Sequence, residues 1–309
     1  MTALMPVHEP TLTPMTADER ARFERDGFLI VRGALDRGDL SHARKAILRA
    51  YRAAESGGRL GADGALHQLS AVTGCPELAF LLDHPATFRY AWSLLGWNVH
   101  VHHSHFDVHP PITGRRPFRW QWHQDGGRQN RELETDPRPR LSVKAGFWLS
   151  DVSARGRGNL LVIPGSHRTN RLPGPHRRDL VFPRPADAVE VLAEPGDAIV
   201  FDRRLWHARS DNRSALTRLA TFIGYSYRWV QIRDNVAGLP QRLWWNELTP
   251  VQRQLLGHCD GTGDGAGDGT GAGGGSGDHA WGHHPQAVPL YRELAERGLL
   301  DANYPPLKP

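Results

Sequence analysis

The sequence predicts a mainly β protein with flanking helices, a β-sandwich or jelly roll with helices packed on one side. Three observations lead there. Helical patterns occupy the chain as far as Leu95. From Trp97 onward, strand-like runs follow one another, separated by Gly, Pro, Asp and Asn. Strands and helices do not alternate, which argues against a doubly wound parallel sheet.

The elements follow in order. Thr16 with Glu19 three residues on forms a capping box and opens a helix over 16–26, which Gly27 ends. Phe28-Leu29-Ile30-Val31 reads as a buried strand. Residues 36–54 start at Asp36 and carry Leu40, Ala43, Ile47, Leu48 and Tyr51 at helical spacing. A Gly-rich turn (57–64) follows, then a helical stretch over 76–95 interrupted near Pro85. Strands are expected over 98–108, 141–149, 159–163, 188–193, 198–201 and 218–227. Residues 1–257 make the main domain, 258–282 a Gly/Asp-rich linker or loop, and 283–309 a short amphipathic helix and tail. In the linker, Asp260, Asp264 and Asp268 recur every fourth residue, which does not fit the alternate-residue ligands of a calcium loop.

Composition excludes several function classes. The 309 residues are 39% hydrophobic and 23% charged, a globular balance. No apolar run approaches the roughly 18 residues of a membrane helix. Met1–Pro14 has no basic start or apolar stretch of a secretory signal, and two Cys are too few for a disulfide scaffold or thiolate zinc site. A cytoplasmic location is expected. The net charge of +5 comes from scattered Arg, and the densest clusters, RGRGN (155–159) and HRRD (176–179), lack interleaved aromatics. Nucleic acid is therefore not an expected partner.

Seventeen His are present, so spacing has to select among them. In Trp122-His123-Gln124-Asp125-Gly126-Gly127, His123 and Asp125 share one side of an extended chain and can reach one metal ion. His207, after an apolar strand and a Pro195-Gly196-Asp197 turn, is the expected third ligand. Two imidazoles and a carboxylate on one face leave coordination positions open, an arrangement suited to Fe(II) and O2. Eleven residues later, Arg218 opens an apolar strand, where an inward guanidinium needs an anion such as a dicarboxylate co-substrate. A second His-x-Asp, His105-Phe106-Asp107, lies in a run where positions 103, 105, 107 and 109 share a face. No glycine follows Asp107, so this face is read as the polar wall of a pocket, with a second metal site as the alternative. His105 and His109, with Trp120 and Trp122, are candidates to meet substrate, although packing is the plainer reading of both Trp. His167 is read as a local hydrogen-bonding residue, His258, His279, His283 and His284 as exposed, and Trp244 and Trp245 as a cap or rim.

These residues together resemble the phytanoyl-CoA dioxygenase family of Fe(II)/2-oxoglutarate-dependent oxygenases. The resemblance rests on Phe23–Gly33, on Trp122-His123-Gln124-Asp125, on Gly158–His167 with its Pro-Gly-Ser-His turn, on Pro195-Gly196-Asp197, and on His207, Asn212, Ser214 and Arg218. It spans roughly residues 16–230. It implies a double-stranded β-helix, a cupin-like jelly roll, with iron on His123, Asp125 and His207 and Arg218 on the far carboxylate of 2-oxoglutarate. The chain departs from the family in two places. Arg209 stands where members often have Ser, so either Ser210 is the substitute or a second basic group faces the pocket, and His109 precedes the Pro-Pro step where Lys is frequent. Lys144, inside the apolar strand Leu141–Trp148, is read as a second 2-oxoglutarate contact or as a salt-bridged residue.

The implied reaction consumes 2-oxoglutarate and O2 and attacks an unactivated C–H of a small-molecule substrate by hydroxylation, ring closure or desaturation. Halogenases of the superfamily lack the carboxylate ligand, so Asp125 argues against halogenation. The chain is also similar to tailoring oxygenases that close orthoester rings on oligosaccharide antibiotics, the orthosomycin group, which implies a glycoside substrate. Two other classes stay open: a non-catalytic jelly-roll binding protein, and a zinc or nickel cupin-like hydrolase or isomerase. The first does not need all three ligands, and the second does not need Arg218.

Overall fold

A computed structural model describes residues 12–113, 122–127, 129–171, 185–259 and 285–300. Its helices are α1 (Ala17–Asp26), α2 (Arg37–Ser56), α3 (Ala71–Gly74), α4 (Pro85–Leu95), α5 (Gln129–Glu132), α6 (Pro250–Leu255) and α7 (Pro289–Glu296). Its strands are β1 (Phe28–Val31), β2 (Leu66–Leu69), β3 (Val99–His109), β4 (Ser142–Trp148), β5 (Leu160–Val162), β6 (Val189–Glu190), β7 (Ala198–Asp202), β8 (His207–Arg209) and β9 (Arg218–Tyr227). The capping box opens α1: Thr16 Oγ1 accepts from Glu19 N–H, and the Glu19 carboxylate accepts from Thr16 N–H. Gly27 closes the helix at φ 83° and turns the chain into β1. Asp36 caps α2 through the Asp39 N–H. Residues 260–284, which hold most of the expected linker, and Trp120 lie outside the described residues.

The strands do not close into the expected jelly roll. They form two open antiparallel sheets, one of six strands in the order β1-β7-β4-β9-β3-β2 and one of three in the order β6-β5-β8. The fold class is thus mixed α/β, not a mainly β barrel. Closure requires hydrogen bonds between the sheets' edges. Here β1 and β2 are the edges of the large sheet, and the small sheet's strands have only three, two and three residues. A succession of strand-like runs predicts the strands themselves but does not specify how they pair.

The period-2 alternation of the large sheet decides where the site sits. Val143, Ala145 and Phe147 of β4 join Val200, Ile223, Phe106 and Val108 in a core shared with α1, α2 and α4. Each large apolar side chain buried there contributes about 1.5–3 kcal/mol. The intervening residues Lys144, Gly146 and Trp148 face the other way. On that side Trp148, Ile199, Phe201 and Phe222 pack against Leu160 and Val162 of β5, so the small sheet lies over this face. Gly146 is needed there, because a Cβ would come within 2.5 Å of the Phe222 ring. Of the described helices, none is long and apolar enough to cross a membrane.

Candidate metal centre

The centre is built from one antiparallel contact and one turn. His123 and His207 face each other across an isolated bridge: His123 N–H donates to His207 O (3.0 Å), and His207 N–H donates to His123 O (2.9 Å). Directly opposed residues put their side chains on the same face, and the two imidazoles sit 4.2 Å apart, centre to centre. Asp125, two residues on, is held by its N–H on Arg203 O (2.8 Å). The turn after it needs glycine: Gly126 has φ 118°, and a Cβ there would lie 2.5 Å from Arg203 Nη2. Buried Arg203 donates to the side chains of Gln129 and Asn130, and Asn130 Nδ2 donates to Asp125 O (2.9 Å). The turn is therefore clamped on both sides.

His123 Nε2 and His207 Nε2 each lie 4.0 Å from Asp125 Oδ1, and one ligand atom from each of the three falls within 4.8 Å of the others. His207 Nδ1 is 2.9 Å from Leu205 O. A carbonyl only accepts, so Nδ1 carries the proton and Nε2 keeps its lone pair facing the centre. Burial, helped by His123, pushes the His207 imidazole down to about 3 and keeps it neutral. Burial alone raises the Asp125 carboxyl, but the Lys144 ammonium reverses this and holds it well below the usual carboxylate range. Lys144 Nζ sits 2.6 Å from Asp125 Oδ2, the oxygen that does not face the imidazoles. Two imidazoles and one carboxylate are a donor set that fits Fe(II).

Arg218, opposite His109 in the β3–β9 ladder, is buried, and its Nε and Nη1 have no hydrogen-bond partner among the described residues. Its nearest acid is Asp107, with Nη1 3.8 Å from Oδ2. Burial brings its guanidinium down to about 10, with Asp107 opposing the shift and Arg209 adding to it. A buried guanidinium left unsaturated fits a carboxylate ligand. Arg209, two residues after His207, shares its face of β8, and burial lowers it as well. Ser210 is buried, with its hydroxyl donating to Asp211 O (3.4 Å).

The face of β3 read as a polar wall is polar. His103 stacks on His105 at 4.9 Å, and His105 stacks on Phe222 at 4.7 Å. Burial pushes His105 and His109 each down to about 3, so both are neutral. The sequence reading missed His67. It lies opposite Asp107 on β2, and its Nδ1 is 2.7 Å from Asp107 Oδ1. No local pattern marks it, because strand pairing alone brings it there. Trp122 is buried with Leu161, Ile163, Ala208 and Trp206, off the face that His123 shares with His207. Buried His167 packs within reach of Gly27, where a Cβ would come 2.5 Å from its Nδ1.

Comparison with known proteins identifies the family. A family model described as "Phytanoyl-CoA dioxygenase (PhyH)" matches residues 23–220. The chain is 25% identical over 239 residues to an ectoine dioxygenase of Sphingopyxis alaskensis, covering 69% of this chain and 76% of that one. It is 22% identical over 277 residues to a probable phytanoyl-CoA dioxygenase of Caenorhabditis elegans, covering 78% and 85%. Among solved structures, HygX of Streptomyces hygroscopicus with nickel and 2-oxoglutarate bound is similar at a TM-score of 0.56 and 17% identity, covering 71% of this chain and 90% of that one. EctD of S. alaskensis with 2-oxoglutarate and 5-hydroxyectoine is similar at 0.53 and 21%, covering 73% and 83%.

Proposed function

The chain belongs to the phytanoyl-CoA dioxygenase family of Fe(II)/2-oxoglutarate-dependent oxidoreductases, and from that premise we propose that it oxidises an unactivated C–H bond of a small-molecule natural product, by hydroxylation or oxidative ring closure. The observation that carries the site assignment is the convergence of His123, Asp125 and His207, with both His–Asp approaches at 4.0 Å around one carboxylate oxygen. When bound there, Fe(II) with 2-oxoglutarate and O2 supplies the oxidising power, with succinate and CO2 as co-products.

The chain's own residues do the rest. His207 offers Nε2 because Leu205 O holds the proton on Nδ1. Lys144 occupies Asp125 Oδ2 and leaves Oδ1 toward the imidazoles. Arg218 offers the far carboxylate of 2-oxoglutarate N–H groups that have no hydrogen-bond partner among the described residues, with Ser210 as a candidate second contact. In the metal-free chain Lys144 is committed to Asp125; its reading as a 2-oxoglutarate contact requires it to turn from that pair.

The substrate class proposed is a glycoside, the orthoester-closing reaction being its most specific form. What supports it is the wall of His103, His105, Asp107 and His109, which offers hydrogen-bonding groups where an acyl chain would need apolar ones. One fold neighbour, HygX, was solved with hygromycin B bound. Anaerobic titration with Fe(II) and then 2-oxoglutarate tests the assignment. The expected result is a weak visible charge-transfer band that disappears in His207→Ala. Tight Fe(II) binding with no band in the wild-type protein would falsify the 2-oxoglutarate reading.

A further inference from the structure

A second group of ligand-type side chains, on β2 and β3, shares no residue with the His123 centre, and the mechanism above does not need a cation there. His105, Asp107 and His109 alternate along one face of β3, and His67 is the direct partner of Asp107 on β2. Asp107 is at the middle of the group. Its Oδ1 is 2.7 Å from His67 Nδ1 and 4.0 Å from His109 Nε2, and its Oδ2 is 3.7 Å from His105 Nε2. One ligand atom from each of His67, His105 and Asp107 lies within 4.8 Å of the other two. The rings of His67 and His105 are 5.0 Å apart, centre to centre.

We propose that His67, His105 and Asp107 form a second divalent-metal site, with His109 within reach as a fourth ligand, and that it takes a late first-row ion of the zinc or cobalt type. Two imidazoles with one carboxylate favour such ions over magnesium or calcium, which prefer all-oxygen shells. A second observation points the same way: His105 Nδ1 is buried and has no hydrogen-bond partner among the described residues. The His105 ring stacks on His103 and on Phe222. The half-exposed His67 side chain gives solvent access to the cluster.

The Arg218 guanidinium, 3.8 Å from Asp107 Oδ2, opposes a dication, so this site is expected to be the weaker of the two. The ion would tie edge strand β2 to β3 and fix the His105 ring against Phe222.

The test is equilibrium dialysis of the full chain against Zn2+, with metal per chain measured by elemental analysis, repeated with Co2+ and visible absorption. Wild-type protein should take up a second equivalent beyond the one lost in His207→Ala. His67→Ala and Asp107→Asn should each lose only that weaker equivalent and its Co2+ band. His67 is half-exposed, so its variant should fold, and thermal melting checks that it does. A single equivalent in the wild type would overturn the proposal. So would a second equivalent that survives both substitutions. Neither result bears on the 2-oxoglutarate titration, so the two readings fail separately.

Discussion

The two clusters use the same ligand types and differ in how their charges are met. At His123, Asp125 and His207, both imidazoles stand 4.0 Å from the carboxylate oxygen that faces them, while Lys144 neutralises the carboxylate from behind at 2.6 Å. At His67, Asp107 and His105, the carboxylate is met from the front, by His67 at 2.7 Å. The first arrangement keeps the donors apart with one oxygen aimed between them, ready for an ion. The second is partly closed on itself, so an ion must displace the shared His67 proton. Where the countercharge sits, more than which ligands are present, separates a ready site from a conditional one.

The largest effect should come from removing a donor of the ready site. His207→Ala is expected to abolish Fe(II)-dependent 2-oxoglutarate turnover, measured as succinate formed, and to remove the tight Fe(II) equivalent. Next comes Arg218→Ala, which removes charge-assisted bonds from a buried carboxylate contact. It should raise the half-saturating 2-oxoglutarate concentration about 10–100-fold and leave Fe(II) affinity nearly unchanged. Lys144→Met tests the comparison directly. It strands a largely buried Asp125 without its countercharge, so the metal-free protein should lose about 2 kcal/mol, read from denaturant unfolding. Saturating metal should restore most of that loss, because the ion then supplies the missing positive charge. Unchanged stability of the metal-free variant would show that Lys144 does not set the first site apart.

A smaller effect is common to both clusters. His207, His105 and His109 are held neutral down to about 3 in the folded chain, whereas an unfolded His protonates near 6.5. Between those values the unfolded state binds more protons, so stability is lost as pH falls. The melting temperature of the metal-free protein should decline on acidification from pH 6.5 toward 4. His105→Phe keeps a ring between His103 and Phe222 and should make that decline shallower. An identical slope would mean that His105 is not buried neutral.

Much of this was legible in the chain. Thr16 and Glu19 announced α1, and the runs at 98–108 and 218–227 became β3 and β9 with boundaries shifted by a residue or less. His123 and Asp125 stand two apart in extended chain, which is enough to put them on one side. The expected third ligand, His207, is brought to them across a bridge between segments 84 positions apart, with the backbone of each His satisfying the other. Closure was misread because the short strands β6 and β8 and the edge strand β2 carry too little pattern to show which strands they pair with. His67 went unseen for the same reason: Leu66–Leu69 has no motif, and only its register against β3 puts it on Asp107.

The smallest predicted effect asks whether the two clusters are independent. Asp107 is shared, with Oδ1 toward His67 and Oδ2 toward Arg218, the proposed 2-oxoglutarate anchor. His67→Ala frees Oδ1, and the carboxylate can then close on Arg218, whose Nη1 is 3.8 Å away and lacks a hydrogen-bond partner among the described residues. An internal carboxylate on Arg218 competes with the incoming one. The half-saturating 2-oxoglutarate concentration should therefore rise by about 2–5-fold, the scale of a partly exposed ion pair, with kcat unchanged. Adding Asp107→Asn to His67→Ala removes the competitor and should bring the value back to wild type or below. If His67→Ala leaves 2-oxoglutarate dependence untouched, Asp107 does not couple the clusters, and the second answers only to its own ligands.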